Sequence, residues 1–238
     1  MIRVSISYGF GEDNRYNLNY IPENIQWALY KYERYSEGNL NFLERNNVNV
    51  NVVHLPLDTL KRPQYEIIKL MNKIHETVGT EKFVIHPNKL ITSFIHYYIN
   101  DHVGSQTLPK YKLCIENFQW RKKKELRSPL EILKYCIEYP QYFGLCLDTS
   151  HTEEIWLDHK ILYTLLPYTE VIHLSNRIYS ERKQHMPFNT GKGDLNLMAF
   201  VNHLKFIKWN GDLVLEYMPE YTDKKIKNYH FLKEHLNG

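Results

Sequence analysis

Short apolar runs recur along this chain, and six of them lead to a side chain carrying a donor atom. They are VNVVHLP with His54, KFVIHP with His86, KLCIEN with Glu116, GLCLDTSH with Asp148 and His151, EVIHLSN with His173, and DLVLEYM with Glu216. Runs this short and this rich in branched residues read as buried strands, and MIRVSISYGF reads as a first strand ahead of them. Between the runs the apolar period becomes helical. Ile67, Ile68, Met71, Ile74 and Val78 share one face from Tyr65 to Val78, and Leu197, Phe200, Val201, Leu204 and Ile207 do so from Leu195 to Trp209. Ser128-Pro129 supplies a cap and a first-turn proline for another helix, and Lys224 to Leu236 closes the chain as a last one.

The donor-bearing tips are spaced 25 to 43 residues apart, about the length of one strand plus a returning helix. A ligand at the C-terminal end of strand after strand is how a closed α/β barrel builds a site at one mouth. Side chains at i and i−2 share a strand face, and the residues two before the tips are Val52, Val84, Cys114, Cys146, Val171 and Val214. All are small enough for the interior layer of a closed sheet. The expected fold is therefore an α/β barrel of the TIM (β/α)8 type, one domain over residues 1–238. Its weak stretch is Gly11 to Val48, which must supply the second strand. Two readings stand there: a strand around Ile25–Tyr32 followed by a helix around Asn39–Asn46, or one long helix from Pro22 with a degenerate first strand-helix unit.

Composition narrows the class. The chain has 238 residues, 43% hydrophobic and 24% charged, which suits a globular domain. No stretch approaches the roughly 18 apolar residues of a membrane span, and the N-terminus does not read as a signal peptide, so a cytoplasmic location and no membrane partner are expected. Three cysteines without C-x-x-C spacing make neither a disulfide framework nor a thiolate zinc site. Cys114 and Cys146 are expected inside strands, and Cys136 in the apolar stripe of a helix.

The strings IEN, LDTSH, VIHLSN, GKGDLN and VLEYM, spread between about Val48 and Met218, together resemble the xylose-isomerase-like TIM-barrel superfamily. It contains sugar and sugar-phosphate isomerases and epimerases, and the endonuclease IV type of abasic-site nuclease (the AP endonuclease 2 family). In the isomerase branch the resemblance implies one divalent metal held by Glu116, Asp148, His173 and Glu216. Hard carboxylates with one imidazole suit Mn²⁺ or Mg²⁺, with Zn²⁺ or Co²⁺ compatible. By the same resemblance Glu116 and Glu216 are the catalytic pair that moves a proton between adjacent carbons through an enediolate. His151, Arg177 and Lys192 would contact substrate. Taken singly, each carboxylate could equally be an ion-paired cap, but an isolated buried acid is costly without a partner.

Four histidines leave a second reading open. In the nuclease branch, histidines at the third and fourth strand tips bind one metal, the Glu/Asp/His/Glu set a second, and a third ion takes the histidine after LDTS with an Asp-x-His pair. His54, His86, His151 and His185 match those histidines, as additional metal or substrate residues. The aspartate of the pair is replaced by Lys183, and a cation there opposes metal binding. A more distant resemblance, to ultraviolet-damage endonucleases, rests on the spacing from VIHLS to His185.

The net charge of +3 says little about nucleic acid. Cations nevertheless fall in the loops after strands: Lys61, Arg62, Lys89, Arg121 to Lys124, Arg127, Arg177, Arg182, Lys183 and Lys192, with Trp120 available to stack on a base. The same residues also fit a solvated basic rim. GKGD reads as a structural turn, with Asp194 as the N-cap of the next helix. The first expectation is a divalent-metal-dependent isomerase or epimerase acting on a sugar or sugar phosphate. The alternative is an abasic-site DNA-repair endonuclease with a multinuclear site and DNA as partner. A non-catalytic barrel that kept its metal is a third class. An oligomer is compatible with each.

Overall fold

In a computed structural model, which describes residues 1–8, 22–29, 37–105, 108–118, 128–152, 157–189 and 191–237, the chain opens with strand β1 (Ile2–Tyr8) and β2 (Asn24–Ala28). Helix α1 (Glu37–Arg45), β3 (Asn49–His54), α2 (Gln64–Val78), β4 (Lys82–Ile85), α3 (Ile91–Ser105) and β5 (Lys112–Glu116) follow. Next come α4 (Pro129–Glu138), β6 (Phe143–Asp148), α5 (His159–Leu165) and β7 (Thr169–Leu174). A short antiparallel ribbon, β8 (Asn176–Ile178) and β9 (Lys183–Met186), precedes α6 (Leu197–Phe206), β10 (Gly211–Leu215) and α7 (Thr222–Asn237). Eight strands close into a barrel in the order β1-β10-β7-β6-β5-β4-β3-β2, every pair parallel. This is the TIM-type architecture expected from the spacing of the tips.

The difficult second unit takes the strand-then-helix form. Strand β2 pairs with β1 through Ser7↔Gln26 and with β3 through Gln26↔Val52, and ends at Ala28, short of the expected Tyr32. Its pattern was hard to read because the inward residue is polar: Gln26 faces the barrel axis while Ile25 and Trp27 are buried in the outer core.

The interior is layered. Val52, Val84, Cys114, Cys146, Val171 and Val214 form a cluster of their own, separate from the larger core between strands and helices, and each is fully buried. These are the six small residues expected two places below the tips. Beneath them, at the N-terminal ends of the strands, lies a charged layer that the sequence pattern did not reveal. Asp212 Oδ2 accepts from Arg3 (2.8 Å) and Lys82 (2.9 Å), and Glu170 pairs with Lys82 (3.1 Å) and Lys112 (2.6 Å). Gly144 makes room for this layer, since a Cβ there would lie 2.4 Å from Glu170 Cγ.

The helices cover the outside. Ile67, Ile68, Met71 and Ile74 of α2 are buried as their spacing predicts, and Ser128 with Glu131 closes a capping box on α4. The cap of α6 is a correction: Asn196, not Asp194, accepts from the Ala199 backbone N–H (3.2 Å). Asp194 is drawn instead to the β8 end, where its carboxylate accepts from Tyr179 N (2.5 Å). GKGD is otherwise a turn, with Gly191 at φ +68° and Gly193 packed where a side chain would overlap Asn176. All three cysteines are free and buried. No helix among the described residues is long and apolar enough to cross a membrane.

Candidate metal centre

The motifs lace neighbouring strand tips together. After Glu116, Asn117 Nδ2 donates to the Asp148 carbonyl (3.0 Å) and its Oδ1 accepts from Asp148 N (2.8 Å), tying β5 to β6. Thr149 Oγ1 then donates to Ser175 O (2.7 Å) and accepts from Ser175 N (3.0 Å), tying β6 to β7. The IEN, LDTSH and VIHLSN strings thus contain both the donors and the fasteners that hold them in place.

Glu116 is the hub. Its Oε2 lies 3.1 Å from His54 Nε2 and 2.9 Å from His86 Nε2, while Oε1 lies 3.2 Å from His173 Nδ1. His173 Nδ1 also sits 2.7 Å from Glu216 Oε2, too poorly aligned for a hydrogen bond, and 3.9 Å from Asp148 Oδ2. Asp148 is held by one oxygen only. Its Oδ1 accepts from Ser150 N (2.7 Å), Ser150 Oγ (2.8 Å) and His151 N (3.1 Å), whereas Oδ2 is buried without a hydrogen-bond partner. That bare oxygen lies 3.7 Å from His151 Nδ1 and 3.9 Å from His185 Nδ1.

All of the sequence-predicted metal residues and all four additional histidines therefore meet at one mouth. They fall into two groups of mutually close ligand atoms, His54/Glu116/His173/Glu216 and Asp148/His151/His185, with His86 against Glu116. His185 reaches the second group from β9 with a left-handed backbone (φ 52°), a conformation uncommon for a residue with a side chain. Lys183, two residues before it on β9, has an exposed side chain that pairs with Glu181 (2.5 Å). Arg177 is half-buried with its guanidinium over Tyr179, Lys192 is exposed, and among the described residues neither pairs with the cluster. Arg121 to Lys124, Arg127 and Trp120 lie outside the described residues. Two neighbours went unforeseen. Phe118 presents ring contacts to His86 (5.4 Å) and His151 (5.2 Å), and Gln26 Oε1 meets His173 Nε2 at 2.8 Å.

The electrostatics are those of a site shaped for cations. Burial pushes the Glu116 carboxyl upward, but the neighbouring histidines outweigh it and hold it well below the usual carboxylate range. Burial lowers His86 itself, while the Glu116 carboxylate raises His54 against its own burial. His173 is lowered by burial and raised further by Cys146, Glu216 and Glu116, ending well above an ordinary imidazole. Imidazole protons thus stand where a metal's charge would act, and a bound ion would displace them. The donor set fits such an ion. Ligand atoms each about 2.1 Å from one ion sit roughly 3 to 3.5 Å from each other, close to the separations around Glu116, and Asp148 Oδ2 and His151 Nδ1 are buried without partners beside them.

A closed parallel barrel with imidazoles and carboxylates gathered at its C-terminal mouth defines a barrel able to hold divalent metal there. More narrowly, the chain belongs to the xylose isomerase-like TIM barrel family, whose model matches residues 105–235, more than half of its length. Similar solved structures include a D-tagatose 3-epimerase-like protein (15% identity, TM-score 0.65, 98% of this chain and 99% of that one). Another is 3-keto-D-glucoside 4-epimerase from E. coli (11% identity, TM-score 0.66, 100% and 99%). A third is endonuclease IV from Thermus thermophilus (15% identity, TM-score 0.63, 98% and 99%). Identities this low establish the shared fold. A comparison with curated proteins found no match.

Proposed function

We propose that this chain is a multinuclear, divalent-metal-dependent phosphodiesterase of the abasic-site endonuclease type, acting on DNA. The observation that carries the reading is the two-sided use of Glu116. One carboxylate oxygen faces two imidazoles, His54 and His86, and the other faces His173, so that its two oxygens could serve different sets of donors holding more than one ion. Asp148, His151 and His185 offer donors for a further ion, with the bare Asp148 Oδ2 in place of the acid missing at Lys183.

These residues would hold Zn²⁺ or Mn²⁺ by donor type, and such ions would supply a low-pKa water and positive charge for a phosphoryl oxygen. The chain's own groups do the rest. Glu116 sets the spacing between His54 and His86 on one side and His173 on the other, and Ser150 holds one oxygen of Asp148 so that the other is left bare. Phe118 packs edge-on against both His86 and His151 and so braces the two rings. Lys61, Lys89 and Lys192, in loops that follow strand tips, favour an approaching phosphate backbone.

A second reading, a sugar or sugar-phosphate isomerase or epimerase, is supported by Glu116 and Glu216 both reaching His173 Nδ1, which would place a base and an acid on a single ion. It gives His54 and His86 no ligand role and needs a free oxygen on Glu116, where both are engaged. The experiment is direct: protein loaded with Zn²⁺ or Mn²⁺ is incubated with a duplex carrying one abasic site, and separately with ketoses and ketose phosphates. Strand scission at the abasic site that Glu116→Gln lowers by at least about a thousandfold supports the nuclease. Ketose turnover without scission favours the isomerase instead.

A further inference from the structure

We infer that Gln26 is the positioning residue that fixes the ring of His173 and so selects the nitrogen it offers to an ion. The inference rests on the metal-centre reading above. Gln26 and His173 are both fully buried, and His173 Nε2 donates to Gln26 Oε1 at 2.8 Å. A neutral imidazole carries one N–H, so a proton held on Nε2 leaves the lone pair on Nδ1. Nδ1 is the atom that faces Glu116, Glu216 and Asp148.

Gln26 is itself held. Its Nε2 donates to Ser7 Oγ (3.4 Å) on β1, and the Ser7 carbonyl accepts from Lys225 Nζ (3.2 Å) on α7. Three elements therefore converge on the orientation of one ring. His54 gives the internal contrast: its Nδ1 donates to the Leu55 carbonyl (3.0 Å), which leaves Nε2 facing Glu116. The two rings present different nitrogens, each chosen by its own acceptor. A glutamine suits the β2 position because its amide accepts from His173 and donates to Ser7 at once, and it brings no further anion into a mouth already rich in carboxylates. Removing an acceptor of this kind from a ligating histidine lowers metal affinity by about 10–100-fold.

The test uses Zn²⁺ alone. Wild type, Gln26→Met, which keeps the volume but has no acceptor, and Gln26→Glu, which keeps an acceptor, are titrated with Zn²⁺ against a chromophoric chelator. Nitrogen NMR of the histidine rings is recorded on Zn²⁺-loaded wild type. The expected result is Nδ1 ligation with a retained Nε2–H for His173, one Zn²⁺ weakened about 10–100-fold in Gln26→Met, and affinity within a few-fold of wild type in Gln26→Glu. Unchanged affinity in Gln26→Met overturns the role. So does ligation by Nε2 in wild type, a measurement that stands even if a variant fails to fold. Wild type that binds no Zn²⁺ sinks the metal centre and this role together, whereas normal wild-type binding with an unaffected Gln26→Met sinks only the role.

Discussion

Lys225 gives a stability prediction that runs against the usual direction. Its side chain is buried, and burial pushes its ammonium down to about 8 from 10.5, with Glu216 opposing that shift. Below the folded value both states carry the proton, and the folded state bears the full penalty, roughly 3 kcal/mol at about 1.4 kcal/mol per tenfold change. Between about 8 and 10.5 the unfolded chain binds more protons than the folded one, so folding stability rises with pH across that window. Lys225→Met removes this term. It also leaves the Ser7 carbonyl without the Lys225 donor, which costs about 1–3 kcal/mol and offsets part of the gain at neutral pH. The pH-dependent part is free of that offset. Urea denaturation of chelator-treated wild type and Lys225→Met, followed by circular dichroism at pH 7, 8, 9 and 10, should show the stability difference moving in favour of wild type by roughly 2.5 kcal/mol from pH 7 to 10. A difference that stays flat over that range refutes the argument that burial of a charged lysine is being tolerated here.

Two further outcomes follow from packing. Asp212→Asn leaves the Lys82 cation with Glu170 as its remaining carboxylate partner, and should destabilise the fold by about 3 kcal/mol in the same urea assay, without changing metal content. Asn196→Ala should cost about 1 kcal/mol, as loss of a helix cap does, read from the thermal midpoint.

Much of this molecule could be read from its sequence because a barrel strand ties two signals to one position. The apolar run marks the strand, and the donor at its end marks the mouth. His54, His86, Glu116, Asp148, His173 and Glu216 were found that way, and the small residue two before each tip lies in the layer beneath it. Features carried by polar residues inside strands were invisible to the same rule. Gln26 looks like a break in an apolar run, and Lys82, Lys112, Glu170 and Asp212 look like solvated strand ends until the closed sheet brings them together. His185 was legible as a residue but not as a neighbour, since a ribbon and a left-handed backbone deliver it to Asp148. The cap of α6 falls on Asn196 rather than Asp194: both residues are good capping types, and in the structure Asn196 immediately precedes the helix while Asp194 is tied to β8 through Arg177 O and Tyr179 N.

The multinuclear centre stands or falls on how many ions the mouth holds. Wild-type protein, stripped with chelator, reloaded with Zn²⁺ or Mn²⁺ and freed of excess by gel filtration, can be counted by elemental analysis against protein concentration. Two or three ions per chain are expected, falling by one when His54 and His86 are both replaced by alanine. A single ion per chain, undisturbed by that double substitution, contradicts a centre built across the two oxygens of Glu116.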